Sequence, residues 1–179
     1  MNIPSQLTGP EGFKNFLWLA WRSIGLPEPT PVQYDIADFM QHGGDRLVVM
    51  AFRGVGKSYI ASAFVDWCLL CDPTRLCQVI SGSKIRADDF STYTLRLLHE
   101  MGDLTAHLLP SEDQRNSKVA FDVGPAPPSH SPSVTSKGIF SQLTGGRADL
   151  IIPDDISTKQ NSQTQLMRDK IASASEEFN

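Results

Sequence analysis

The amino-acid sequence predicts an α/β fold in which a mainly parallel sheet is flanked by helices. Short, continuously apolar runs that are typical of strands buried on both faces occupy residues 46–51, 76–81 and 149–153. A segment with the length of a helix follows each of these runs. This alternation of strand and helix is typical of a parallel sheet covered by helices. A chain of 179 residues is long enough for one domain, or two at most.

The first 45 residues are predicted to be helical. Apolar residues recur at helical spacing over residues 13–24, and Gly25 ends this predicted helix. After a proline-rich connector, Thr30 is expected to cap a second helix that runs from Pro31 to Gln41. We therefore divide the chain into an N-terminal helical segment, residues 1–45, and a core, residues 46–179.

The core adds helices, one further strand and one surface excursion to the three apolar strands. Its predicted helices cover residues 57–71, 84–101 and 162–178, and Asn161 is expected to lead into the last of them. Prolines gather in residues 110–132 around a strand-like island at 118–123, which predicts a surface excursion outside the hydrophobic core. The chain is then expected to return to the sheet as a strand over residues 133–140.

Composition excludes several classes of protein. The net charge of −4 excludes a histone-like basic protein, although local patches can still contact DNA. The three cysteines indicate a reducing compartment, and we expect Cys68 and Cys71 to pack in the core rather than to bind metal. The four histidines lack the spacing of metal ligands. No apolar run approaches the length of a membrane span, so we expect a soluble intracellular protein.

The sharpest motif is the segment Ala51–Ser58, with the sequence AFRGVGKS, which we call the glycine loop. It departs from the phosphate-binding pattern G-x-x-x-x-G-K-[ST] only in the alanine at its first position. Gly54 and Gly56 allow successive backbone N–H groups to surround an anion. Lys57 would reach the β- and γ-phosphates, and Ser58 would bind Mg²⁺. A glycine turn with an exposed lysine is the alternative.

A pair of carboxylates ends the apolar run near residue 150, at Asp154 and Asp155. Side chains at the carboxyl end of a parallel strand face the crevice where ligands bind. Asp154 would join the Mg²⁺ shell, and Asp155 would orient or deprotonate the attacking water. The alternative is an acidic loop that merely follows a strand.

These motifs resemble the N-terminal ATPase domain of bacteriophage DNA-packaging terminase large subunits, of the type found in podophages that encode their own RNA polymerase. The stretches that carry the resemblance are PTPVQYDIADF, AFRGVGKSYI, SGSKIRAD, FDVGPAPPSHSPSV and LTGGRADLIIPDD. The resemblance covers nearly the whole chain. It implies a P-loop NTPase fold of the RecA- and helicase-like additional-strand class, with ATP and Mg²⁺ as cofactors. The nucleotide-binding residues would be Gln33, Arg53, Gly54, Val55, Gly56, Lys57, Ser58 and Tyr59.

The resemblance also implies a function and partners. The family forms a homo-oligomeric ring, a pentamer when docked on the portal protein of a procapsid. The ring hydrolyses ATP to drive double-stranded DNA inward, and a small terminase subunit recruits the genome. The expected location is the cytoplasm of the infected bacterial host, outside the mature virion, with no membrane partner.

The sequence departs from the family pattern after the acidic pair Asp154 and Asp155. In the family, a strand with a Ser/Thr-rich coupling motif follows, and then a nuclease domain that cuts DNA concatemers; these 179 residues contain neither. The coupling strand lies between the strand of the glycine loop and that of Asp154. Its absence predicts an incomplete ATPase core with a gap in the sheet, weak ATP binding and little turnover.

Five further residues have both a functional and a structural interpretation. Gln33 resembles the adenine-reading glutamine of helicase-like motors, which would place residues 1–45 on the adenine side, but it also suits the first turn of a helix. Arg53 would approach the γ-phosphate or form a surface ion pair. Arg147 would act in trans as an arginine finger or lie at the surface beside a glycine turn. Lys84 and Arg86 would contact DNA phosphates or begin a solvated helix.

Two other functions remain open at this stage. A helicase-like DNA translocase would also use Gln33 and the acidic pair, although strand separation needs a second motor lobe. A nucleotide-binding fragment without turnover is the other alternative.

Overall fold

Five α-helices and four strands make up the described part of this computed structural model, which covers residues 3–141, 147–157 and 161–176. The helices are α1 (Gly12–Ser23), α2 (Pro31–His42), α3 (Lys57–Cys71), α4 (Lys84–Glu100) and α5 (Gln165–Ser175). The strands are β1 (Cys77–Ser81), β2 (Ala120–Phe121), β3 (Val134–Gly138) and β4 (Leu150–Asp154). The predicted helices α1 to α4 and the predicted strands β1, β3 and β4 are confirmed. No helix of the described residues is long and apolar enough to cross a membrane.

The sheet has the strand order β2-β3-β1-β4. β1 lies between β3 and β4 and is parallel to both, and all five of its residues are buried. The short β2 pairs with β3 in the antiparallel sense. A mainly parallel sheet is therefore confirmed, and its register places Ser81 beside Asp154 at the carboxyl edge.

Helices cover both faces of the sheet, as the sequence predicts. α4 packs on β1 and β3 and also contacts α3, which in turn contacts α1 and α2. On the opposite face, Ile80 and Ile139 are buried against partly buried residues that include Ala174 of α5. At the carboxyl edge, residues 153–155 at the end of β4 are partly exposed, whereas Ser81 at the end of β1 is buried.

The predicted buried strand at residues 46–51 is wrong. The run alternates in exposure: Val49 and Ala51 pack against the core, whereas Val48 is 79% and Met50 is 92% exposed. It joins no sheet among the described residues, and β4 is the last strand on its side. An apolar run forms a buried strand only where neighbouring strands supply backbone partners, and this one has its apolar composition without those partners.

Three smaller predictions also need correction. The excursion contributes to the core, because Phe121 and Val123 are fully buried beneath it. Helix α5 is capped by Thr164, whose side chain accepts a hydrogen bond from the Met167 N–H, so Asn161 does not cap it. The predicted end of this helix at Phe178 lies outside the described residues. Cys71 is exposed at the end of α3, whereas Cys68 is buried as predicted.

Candidate functional site

The backbone of the glycine loop requires glycine at two positions. Gly54 has φ +95° and Gly56 has φ +88°, the left-handed region that side chains with a Cβ rarely adopt. Gly56 directly precedes Lys57, the first residue of α3. Within the described residues, no acceptor takes a hydrogen bond from the backbone N–H groups of Lys57, Ser58 or Tyr59. The loop therefore ends in free N–H donors at a helix N-terminus, where the helix dipole favours an anion.

Lys57 folds back over this loop. Its ammonium donates a hydrogen bond of 3.0 Å to the backbone carbonyl of Ala51, at the start of the loop. Val55, at the middle of the loop, is buried against the core and anchors it. The Lys57 side chain thus connects the end of the glycine loop to its start. A charged phosphate would be a stronger hydrogen-bond partner for its ammonium than this neutral carbonyl.

Ser58 and Asp154 meet although 96 positions separate them in the chain. The Ser58 hydroxyl donates a hydrogen bond of 2.8 Å to Oδ2 of Asp154. Burial raises the pKa of Asp154 above its ordinary value, the Ser58 hydrogen bond lowers it, and the neighbouring Asp155 raises it again. The positive charges of Lys57 and Arg86 also lower this pKa. The sequence predicted that these two side chains would converge, and the structure brings them together.

This pair fits the ligand requirements of Mg²⁺. Magnesium prefers oxygen ligands and takes only one or two from the protein when phosphates and waters supply the rest. A hydroxyl and a carboxylate already within 2.8 Å of each other can share one cation with little rearrangement. The described residues contain no group of three or more His, Cys, Asp or Glu side chains that could hold a metal by themselves.

Asp155 has an unusual backbone and an ion pair that the sequence did not predict. Its φ of +50° lies in the left-handed region, which is uncommon outside glycine and recurs at functional sites. Its carboxylate pairs with the guanidinium of Arg86, near the start of α4, and both side chains are more than half exposed. The structure therefore joins the predicted water-orienting carboxylate to a residue that the sequence placed only beside DNA or solvent.

A cleft of about 260 Å³ opens beside these groups, lined by Ser58, Asp154 and Arg86 together with aromatic residues of α3 and α4. One wall consists of Tyr59 and Tyr93, whose rings meet edge to face at 4.7 Å. A larger cleft of about 800 Å³ lies in the N-terminal segment and contains none of the glycine-loop or acidic residues. The smaller cleft is the one that carries the candidate chemistry.

The other residues that the sequence predicted for the site lie outside the Ser58–Asp154 pair. Arg53 is exposed in the glycine loop. Arg147 is exposed as well, and its backbone N–H donates to the Ser131 hydroxyl at 3.3 Å, while its predicted glycine partners lie outside the described residues. Lys84 pairs with Asp88 one turn along α4 at 2.8 Å. Gln33 reaches the glycine loop itself, through a hydrogen bond of 2.9 Å from its Nε2 to the Val55 carbonyl.

Sequence reasoning missed a buried acid in the helix that carries Lys57 and Ser58. Asp66 is fully buried, and neither of its carboxyl oxygens has a hydrogen-bond partner. Burial raises its pKa well above the ordinary value. The sequence carries a signal, because residues 60–71 are almost entirely apolar and Asp66 is the one carboxylate among them.

Comparison with known proteins shows what the whole chain is similar to. Over 177 residues, or 98% of the chain, the sequence is 44% identical to the terminase large subunit of Enterobacteria phage T3. The chain spans 30% of the length of that protein. No family model matches the sequence. The resemblance to terminase large subunits is confirmed by this similarity.

Proposed function

We propose that this chain binds ATP between the glycine loop and β4 and supplies the ATPase part of a viral DNA-packaging motor. The observation that carries the proposal is the contact between Ser58 and Asp154, which joins the end of the glycine loop to the carboxyl end of β4. Similarity to the phage T3 terminase large subunit supports a role in packaging. The chain would then have the P-loop NTPase fold of the RecA- and helicase-like additional-strand class.

The glycine loop would bind the triphosphate. Free N–H groups at the start of α3 would donate to the phosphate oxygens, and Lys57 would exchange the Ala51 carbonyl for the β- and γ-phosphates. Ser58 and Asp154 would hold Mg²⁺, which when bound neutralises charge on the phosphates. Arg53, exposed in the same loop, would lie close enough to sense or stabilise the γ-phosphate.

Asp155 would act as the general base for the attacking water. Its carboxylate is held by Arg86 in this conformation, so it must leave this pair before it can accept a proton from water. The pair is more than half exposed on both sides, and exposed ion pairs are worth about 0.2–1 kcal/mol. Opening the pair is therefore a small step compared with a chemical barrier. Arg86 would restrain the base without blocking it.

A packaging motor would also need other subunits and partner proteins. We propose that it acts in a homo-oligomeric ring on the portal of a procapsid, with double-stranded DNA as the cargo and a small terminase subunit as recruiter. In such a ring, the exposed Arg147 would reach the nucleotide of a neighbouring subunit as an arginine finger. The place of action would be the cytoplasm of the infected host. A nucleotide-binding unit without turnover is the second candidate, because the observed Ser58–Asp154 contact supports binding of a nucleotide and does not by itself require hydrolysis.

Nucleotide binding with and without Mg²⁺ tests the proposal. We expect Mg²⁺ to raise the affinity of the wild-type chain for ATP, and Ser58→Ala and Asp154→Asn to remove that increase while leaving metal-free binding in place. Ser23→Ala is the matched control, because Ser23 is also a hydrogen-bonded helix serine but lies in α1. Isothermal titration calorimetry measures all four chains. An undiminished Mg²⁺ effect in both site variants would refute the assignment.

A further inference from the structure

The side-chain amide of Gln33 connects helix α2 to the glycine loop. Its Oε1 accepts a hydrogen bond of 2.8 Å from the backbone N–H of Thr30, the residue that caps α2. Its Nε2 donates a hydrogen bond of 2.9 Å to the backbone carbonyl of Val55. Since the oxygen is fixed by the helix cap, the nitrogen is directed towards the loop. One side chain therefore spans two segments that are 22 positions apart.

The bond to Val55 also determines the direction of a neighbouring N–H group. A peptide unit is planar and trans, so the carbonyl of Val55 and the N–H of Gly56 point in opposite directions. A carbonyl held towards α2 turns the Gly56 N–H away from α2. A Cβ on Gly56 would lie 3.4 Å from Nε2 of Gln33, so the amide packs directly against this glycine.

Gly56 is the residue of the loop that most needs such a restraint. Its φ of +88° is one of many conformations open to glycine, and fixing a single one costs more entropy than for any other residue type. It is also the N-cap of α3, and no side chain accepts from the free N–H groups there. A preformed orientation of these donors lowers the cost of binding an anion.

We propose that Gln33 is a positioning residue that preorganises the phosphate-binding end of the glycine loop, independently of the base of the nucleotide. This inference rests on the proposed nucleotide site. This role and adenine reading predict different effects of a Gln33 substitution on the binding of different ligands. The amide can form four hydrogen bonds and uses two of them in the protein. A role that acts through Val55 affects every polyphosphate equally, whereas a role that acts on the base affects ATP alone.

The test compares three ligands: ATP, GTP and inorganic tripolyphosphate, which has no base. Gln33→Met retains the length of the side chain and removes both hydrogen bonds. We expect affinity for all three ligands to fall by the same factor of about five, which corresponds to one net hydrogen bond of about 1 kcal/mol. Gln33→Glu still accepts from Thr30 but has no proton to donate to Val55, so we expect it to lose at least as much.

Gln41 provides a matched control on the same helix. Its Oε1 accepts from the Phe13 N–H at 2.8 Å and its Nε2 donates to the Gly9 carbonyl at 2.9 Å, so it also makes two amide hydrogen bonds to backbone. Gln41→Met should bind all three ligands as the wild type does. In amide hydrogen exchange, we expect faster exchange at Gly56 in Gln33→Met and unchanged exchange there in Gln41→Met.

Four results would overturn the inference. A loss confined to ATP would show that Gln33 reads adenine, and unchanged binding of all three ligands would show that the bridge has no effect. Wild-type binding by Gln33→Glu would show that only the helix cap matters. An equal loss in Gln41→Met would show a general effect of destabilising α2. The proposed function fails in a different way, because the wild-type chain itself would then bind none of the three ligands.

Discussion

Substitution of the buried Asp66 by asparagine should change how the stability of this protein depends on pH. Asp66 lies in the middle of α3 and is fully buried without hydrogen-bond partners for either oxygen. Its burial raises the pKa well above the ordinary value. Besides burial, the charge of Asp66 raises the pKa of Cys68, Cys77 and Tyr93, and none of these groups carries a positive charge. Burial therefore favours the neutral form of this acid in the folded state.

The sign of the effect follows from proton linkage. An aspartate in the unfolded chain ionises near pH 3.9, whereas folded Asp66 keeps its proton to a higher pH. Below pH 4 both states are protonated, and Asp66 adds no pH dependence. As the pH rises, the unfolded state ionises first, so the free energy of unfolding falls by about 1.4 kcal/mol per pH unit until the folded pKa is reached. The loss by pH 7 is therefore at most about 4 kcal/mol, a large part of a typical total of about 5–15 kcal/mol.

Asp66→Asn removes this loss, because an amide does not titrate. The amide still lacks partners, and we expect the variant to be no more stable than the wild type at pH 4. At pH 7 it should be the more stable of the two. Urea denaturation followed by circular dichroism at pH 4, 5, 6 and 7 measures the difference. Asp45→Asn, in the exposed turn after α2, makes the same chemical substitution at a solvent-exposed position and is the reference for it. Parallel stability curves for Asp66→Asn and the wild type would refute the reasoning.

The remaining predictions concern ATP turnover, measured by phosphate release with portal protein and DNA present. Lys57→Ala should abolish turnover, since the γ-phosphate loses its cation. Asp155→Asn should leave ATP bound and lower turnover by about a hundredfold or more, since it removes the general base. Arg86→Ala should change turnover by less than about fivefold, because the pair that it breaks is exposed; a loss as large as that of Asp155→Asn would contradict this. Mixing Arg147→Ala with Asp155→Asn subunits should restore some turnover if Arg147 acts in trans, and no recovery would show a role within one subunit.

Local sequence signals predicted the parts of the fold that depend on local chemistry. The start of α3 at Lys57 follows from two glycines and an apolar helix, and the structure begins it there. The meeting of Ser58 with Asp154 follows from the rule that ligands bind at the carboxyl ends of parallel strands, and it is observed at 2.8 Å. In both cases, the local residue types are sufficient to predict the observed backbone or side-chain position.

The features that sequence reasoning missed depend on distant partners. The Arg86–Asp155 pair joins residues 69 positions apart, and it forms because β1 and β4 are adjacent and parallel, so that α4 starts beside the end of β4. The apolar run at residues 46–51 has the composition of a buried strand, but composition does not supply a backbone partner. Phe121 is fully buried in a proline-rich excursion because β2 pairs with β3, a contact that no local pattern specifies.

The apolar run at residues 46–51 leads to a prediction about association. Val48 and Met50 are 79% and 92% exposed, and full burial of a side chain of this size contributes about 1.5–3 kcal/mol. Among the described residues, β4 has no strand on its outer side, so its free N–H and C=O groups are open to pairing. An exposed apolar segment and a free strand edge each favour self-association.

We therefore expect this chain to associate at micromolar concentration, and the double variant Val48→Thr with Met50→Lys to remain monomeric. Ile85→Lys is the matched control, because Ile85 is 74% exposed but lies on α4. Sedimentation velocity over a tenfold range of concentration measures the effect, and thermal unfolding shows whether the fold is retained. If any exposed apolar side chain were sufficient, Ile85→Lys would suppress association equally. A monomeric wild-type chain, or equal suppression by Ile85→Lys, would refute the assignment of the contact to residues 46–51. Suppression by the double variant alone would show that this segment mediates the association.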